Sequence, residues 1–186
     1  MLAIDDKETA VVTTWANALS TLRLLIALPC AYAIWTGAWR TAGVLFVVAV
    51  ATDVSDGIVA RRRGEVSAFG GLLDHSIDAL FVTVNLAALA AAGILTALLA
   101  PLAIASFAQY VWDSKALSGA PLRASVLGRW NGIGYYAIVG TATLQRALDV
   151  PWPTPGLIGF AAWVLVLSTM ISMGDRAYAL WNLKRG

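Results

Sequence analysis

Residues 41–63, TAGVLFVVAVATDVSDGIVARRR, and residues 70–91, GGLLDHSIDALFVTVNLAALAA, decide how the chain folds. Each is an apolar run long enough to cross a bilayer, yet the first holds Asp53 and Asp56 and the second Asp74 and Asp78. A spanning helix needs about 20 mostly apolar residues. An ionisable residue at its lipid-facing centre costs about 2.5–3.5 kcal/mol, so four of them facing lipid would cost on the order of 10 kcal/mol. The aspartates are therefore expected to face an interior or an aqueous cavity. Asp53 and Asp56 are three residues apart and Asp74 and Asp78 four, so each pair projects from one helix face. Two such faces can meet.

The remainder of the chain agrees with a bilayer setting. Hydrophobic residues make up 59% of 186 and charged residues 13%, outside the range of soluble globular domains. Apolar runs bounded by charge, Gly or Pro predict six spans: Asn17 to Trp35, Thr41 to Arg61, Gly70 to Ala91, Ile94 to Trp112, Trp130 to Leu148 and Thr154 to Leu180. The expected fold is an all-α, six-transmembrane-helix bundle forming one domain over residues 1–186, with an interfacial amphipathic helix over about Asp6 to Ala16. The acidic start, with Asp5, Asp6 and Glu8 around Lys7, is not that of a signal peptide. Cys30 has no second cysteine to pair with and is expected to pack in the interior. Trp152 and Trp163 are expected as interface anchors.

Basic residues orient the bundle. Arg61, Arg62, Arg63, Lys115, Arg123, Arg129, Arg176, Lys184 and Arg185 fall on one side, and only Arg40 and Arg146 on the other. The positive-inside rule then makes both termini, and the aspartate-rich ends, cytoplasmic.

Four clustered carboxylates repel by about 3 kcal/mol per pair at roughly 5 Å and an effective dielectric near 20. They need protonation or a compensating cation, and divalent metal is the economical answer. All-oxygen ligation favours Mg²⁺ or Mn²⁺ over zinc, and two ions could hold a pyrophosphate between them. Gly57, Ala60 and Gly70, one turn from the aspartates, would let a bulky ligand approach the backbone, and Arg61 offers a cation for phosphate oxygens. A polar seam without chemistry, or a small divalent-cation transporter or channel, would use intramembrane carboxylates too. A transport path needs polar residues to continue across the membrane, and the run from Ile94 to Phe107 offers only Thr96 and Ser106.

Asp53-Val-Ser-Asp56-Gly57-Ile-Val-Ala60-Arg61, followed by Gly70, Asp74 and Asp78, resembles the signature of the CDP-alcohol phosphotransferase family, with eight fixed identities filled over 26 residues. The resemblance implies that Asp53, Asp56, Asp74 and Asp78 bind metal and that Asp78 is the general base. It further implies that Asp53, Gly57, Ala60, Arg61, Gly70 and Asp74 hold a CDP-linked donor. The acceptor alcohol would attack the phosphorus remote from cytidine, releasing CMP. A homodimer in a bacterial inner membrane is also implied, with no nucleic-acid partner. Asn17-Ala-Leu-Ser20-Thr21-Leu-Arg23-Leu-Leu is similar to the opening of short bacterial phosphatidylglycerolphosphate synthases, which implies CDP-diacylglycerol as donor and glycerol 3-phosphate as acceptor in phospholipid biosynthesis. Ala16 and Ala79 depart from that subclass, and Asp74-His75-Ser-Ile-Asp78 resembles CDP-choline and CDP-ethanolamine phosphotransferases. An anionic acceptor needs further cations, and Arg123, Arg129 and Arg176 are available.

Overall fold

A computed structural model describes residues 15–63, 68–113 and 125–183. Among them the chain is all helix: α1 (Trp15–Trp35), α2 (Trp39–Arg63), α3 (Ala68–Ala91), α4 (Leu99–Asp113), α5 (Val126–Ala147) and α6 (Pro155–Leu183). The expected amphipathic segment lies almost entirely outside the described residues.

Helix ends follow from local chemistry. After α1, Gly37 adopts φ 74°, and the next amide, that of Ala38, bonds the Ala33 carbonyl at 2.8 Å. Gly93 does the same after α3, with φ 72° and the Ile94 amide 2.9 Å from the Leu89 carbonyl. Glycine enters this left-handed conformation without steric cost, which is why the two helices stop there. The fourth helix begins at Leu99, not at Ile94 as the apolar pattern predicts. Pro101 gives a reason: it has no N–H to offer a carbonyl four residues back, a loss that costs nothing in a first turn. The 15 described residues of α4 cover about 22 Å.

α1 packs against α2 and α3, and α5 joins α2, α3 and α6. Small side chains line the first contact: Ala27, Cys30, Ala33, Ala42 and Ala49 are all buried, and the Cys30 thiol sits 3.6 Å from the Ala42 carbonyl. Below the aspartates an aromatic stack ties three helices together. Phe46 of α2 lies 6.3 Å from Phe81 of α3, which stacks on Tyr136 of α5 at 6.0 Å with planes 13° apart. Gly140 makes room for it, since a Cβ there would fall 2.7 Å from the Phe46 ring.

Polarity runs opposite to that of a soluble domain. Arg23, Asn85, Thr143, Thr169 and Ser172 are buried, whereas Leu25, Leu28, Phe160, Trp163 and Ile171 face outward. An apolar exterior of this extent belongs in lipid. Gly70–Ala91 and Pro155–Ala179 are long and apolar enough to cross a membrane by themselves. Trp152 and Trp163 are both exposed.

Candidate active site

Asp53 on α2 meets Asp74 and Asp78 on α3, with one carboxylate oxygen of each within 4.8 Å of the others. The i,i+4 spacing on α3 stacks its pair on one face, and α1 brings both helices together. Between the three carboxylates lies Arg23 of α1, its side chain fully buried. Arg23 Nη2 is 3.1 Å from Asp53 Oδ1, Nη1 is 3.1 Å from Asp74 Oδ1, and Nη1 also pairs with Asp78 Oδ1. Ser20, one turn before Arg23, donates to Asp74 Oδ1 at 3.2 Å. Tyr136 of α5 donates to Asp78 Oδ1 at 2.8 Å. The carboxylates keep partial access, with 38%, 30% and 24% of the Asp53, Asp74 and Asp78 side chains exposed.

Carboxylate crowding alone pointed to metal as the balancing cation, but the protein supplies one of its own. Arg23 reduces the case from charge without removing it, because three carboxylates and one guanidinium still leave a formal charge of −2. The donor set is all oxygen, and opposite ligands of a Mg²⁺ ion stand about 4.2 Å apart. A cluster spanning 4.8 Å is of that size. The residues therefore fit a hard divalent cation.

Asp56, Gly57, Ala60 and Arg61 continue α2 past Asp53, and their side chains lie outside the described residues. Gly70 sits partly buried in the first turn of α3, one turn before Asp74. Arg123 is likewise outside the described residues. Arg129 is exposed near the start of α5. Arg176, partly buried, reaches Ser125 Oγ at 3.2 Å and lies 5.4 Å over the Tyr110 ring. Gly128 admits it, since a Cβ there would collide with Arg176 Nη2. His75 is exposed, its Nδ1 2.9 Å from the Gly71 carbonyl and its ring 6.4 Å from that of Tyr110. Tyr110 thus stands between the aspartate-bearing helix and Arg176.

Arg23, Ser20, Tyr136, Tyr110 and Ser125 are site residues that the sequence did not reveal as such. Arg23 carried a signal, being a charge within an otherwise apolar span. The tyrosines carried none, because a partner 58 residues away, as Asp78 is from Tyr136, is set by packing alone.

A sequence model described as CDP-alcohol phosphatidyltransferase matches residues 13–174. An archaetidylinositol phosphate synthase from Pyrococcus horikoshii is 39% identical over 64 residues, covering 34% of this chain and 34% of that protein. The matched stretch is thus about a third of the relative's length.

Proposed function

The chain belongs to the CDP-alcohol phosphatidyltransferase family, and on that premise we propose that it transfers a phosphatidyl group from CDP-diacylglycerol to a phosphorylated alcohol, releasing CMP. The observation that carries this is the meeting of Asp53, Asp74 and Asp78 around one small space between α2 and α3.

Asp53, Asp74 and Asp78, with Asp56 one turn along α2, would hold one or two Mg²⁺ or Mn²⁺ ions. Divalent metal bound there offsets the charge of the donor's pyrophosphate and favours departure of CMP. Asp78 takes the proton from the acceptor hydroxyl as its oxygen bonds to phosphorus and the bond to the CMP oxygen breaks. Asp53, Gly57, Ala60, Arg61, Gly70 and Asp74 form the donor side. Arg176, Arg129 and Arg123 receive the acceptor's phosphate, and the berth of Arg176 on Tyr110, Ser125 and Gly128 supports this.

Glycerol 3-phosphate is the acceptor of choice, and the archaetidylinositol phosphate synthase adds a phosphorylated inositol beside it. Both are phosphorylated polyols. The bundle is one six-span domain in a bacterial inner membrane, a homodimer with the site and both termini cytoplasmic. The basic side of the sequence supports that orientation. The test is CMP release by purified protein with Mg²⁺, CDP-diacylglycerol and a panel of both acceptors. Inactivity with every CDP-diacylglycerol pair, alongside activity with CDP-choline or CDP-ethanolamine, overturns the donor. Inactivity with all CDP-linked donors overturns the function.

A further inference from the structure

Both described hydrogen-bonding partners of Asp78 fall on the same oxygen. Oδ1 accepts from the Tyr136 hydroxyl at 2.8 Å and pairs with Arg23 Nη1, while among the described residues none donates to Oδ2. Two donors on one oxygen fix the rotation of the carboxyl group and leave the lone pairs of the other oxygen for whatever enters the space beside Asp53 and Asp74. Tyr136 is itself held without the hydrogen bond. Its ring stacks on Phe81, which is fully buried and lies three residues along α3 from Asp78, so the hydroxyl and the carboxylate are placed by the same two helices.

We infer that Tyr136 is a positioning residue for the transfer reaction: together with Arg23 it anchors Asp78 Oδ1 so that Oδ2 is the oxygen presented to the acceptor hydroxyl and to metal. This deepens the transferase function proposed above and rests on it. Arg23 alone cannot do the same work. A guanidinium binds both oxygens of a carboxylate readily, and without the tyrosine hydroxyl Asp78 is free to turn and give Oδ2 to Arg23 as well. That rotation withdraws the base from the acceptor and a ligand from the metal. The hydroxyl is thus what keeps the ion pair one-sided.

Tyr136→Phe removes the hydroxyl and keeps the Phe81 stack, so the bundle is left intact. With purified full-length protein, kcat for CMP release falls by about tenfold while KM for donor and acceptor stays within about twofold, the pattern of an interaction that serves the transition state. In an Asp78→Glu background, whose longer side chain moves the carboxylate away from Tyr136, adding Tyr136→Phe costs less than about twofold in kcat. Binding of Mn²⁺ to donor-free protein, followed by electron paramagnetic resonance, weakens by about threefold or more in Tyr136→Phe, because Asp78 then divides itself between metal and Arg23. A kcat within about twofold of wild type, an equal cost in both backgrounds, or an unchanged Mn²⁺ affinity overturns the assignment of Tyr136. Wild-type protein that releases no CMP counts against the transferase function instead, and the Mn²⁺ comparison then decides Tyr136 by itself.

Discussion

Replacing Arg23 with Met removes the one described cation that touches Asp53, Asp74 and Asp78 while keeping an unbranched chain of similar length. With oxygens within 4.8 Å of one another, each carboxylate pair repels by about 3 kcal/mol at an effective dielectric of 20. Breaking a buried ion pair from one side costs about 3–5 kcal/mol, and the lower end applies because the aspartates keep access to solvent. For a chain of this size about 3 kcal/mol lowers the melting midpoint by roughly 6–12 °C. Mg²⁺ meets the same carboxylates, so it should raise the midpoint of Arg23→Met more than that of wild type. The assay is thermal unfolding of detergent-solubilised protein, followed by tryptophan fluorescence with and without Mg²⁺. A metal-free midpoint within about 2 °C of wild type, or equal Mg²⁺ shifts in both proteins, refutes the role of Arg23 as the internal counter-ion.

Asp78→Asn should lower kcat for CMP release by about a thousandfold or more with little change in melting, whereas a purely structural Asp78 predicts a silent substitution. Gly128→Ala places a methyl against Arg176 Nη2 and should displace the guanidinium, raising the acceptor KM by about tenfold with the donor KM unchanged. Arg129→Ala should raise the acceptor KM too; unchanged acceptor KM and kcat would remove Arg129 from the acceptor site. Gly140→Ala forces a methyl to within 2.7 Å of the Phe46 ring and should cost about 1–3 kcal/mol, read as a lower melting midpoint.

What could be read from the sequence divides along one line. Apolar runs and their boundaries gave the six helices to within a few residues, because periodicity and length act locally, and α4 starts latest against expectation because Pro101 outranks the hydropathy of Ile94–Leu98. The aspartates were legible for the same local reason: charge in an apolar helix must be explained, and the spacing of Asp74 and Asp78 puts them on one face. Contacts between distant segments were not. Arg23 lies 51 residues from Asp74, and Tyr136 58 from Asp78. Arg23 was read only as part of a stretch resembling one subclass, although a lone cation in a span asks for an anionic partner as strongly as an aspartate asks for a cation. Gly128 is likewise silent in the sequence, although its lack of a side chain makes the berth of Arg176.

Arg23 also changes how metal must enter. A cluster of bare carboxylates would gather divalent ions by attraction alone, but here Asp53, Asp74 and Asp78 each already have a guanidinium on Oδ1. The ion therefore enters through oxygens that Arg23 leaves open, beside a guanidinium that is fully buried on α1 and has no solvent to retreat into. It stays beside the ion and opposes it. The site should accordingly hold metal weakly by itself and more tightly once a donor's pyrophosphate adds negative charge for both cations to share. Mn²⁺ titrations carried out with and without a CDP-linked donor measure this coupling directly. An affinity that does not rise with donor present in wild type, or a donor-free affinity that does not increase in Arg23→Met, would show that the charge of Arg23 does not oppose metal at these carboxylates.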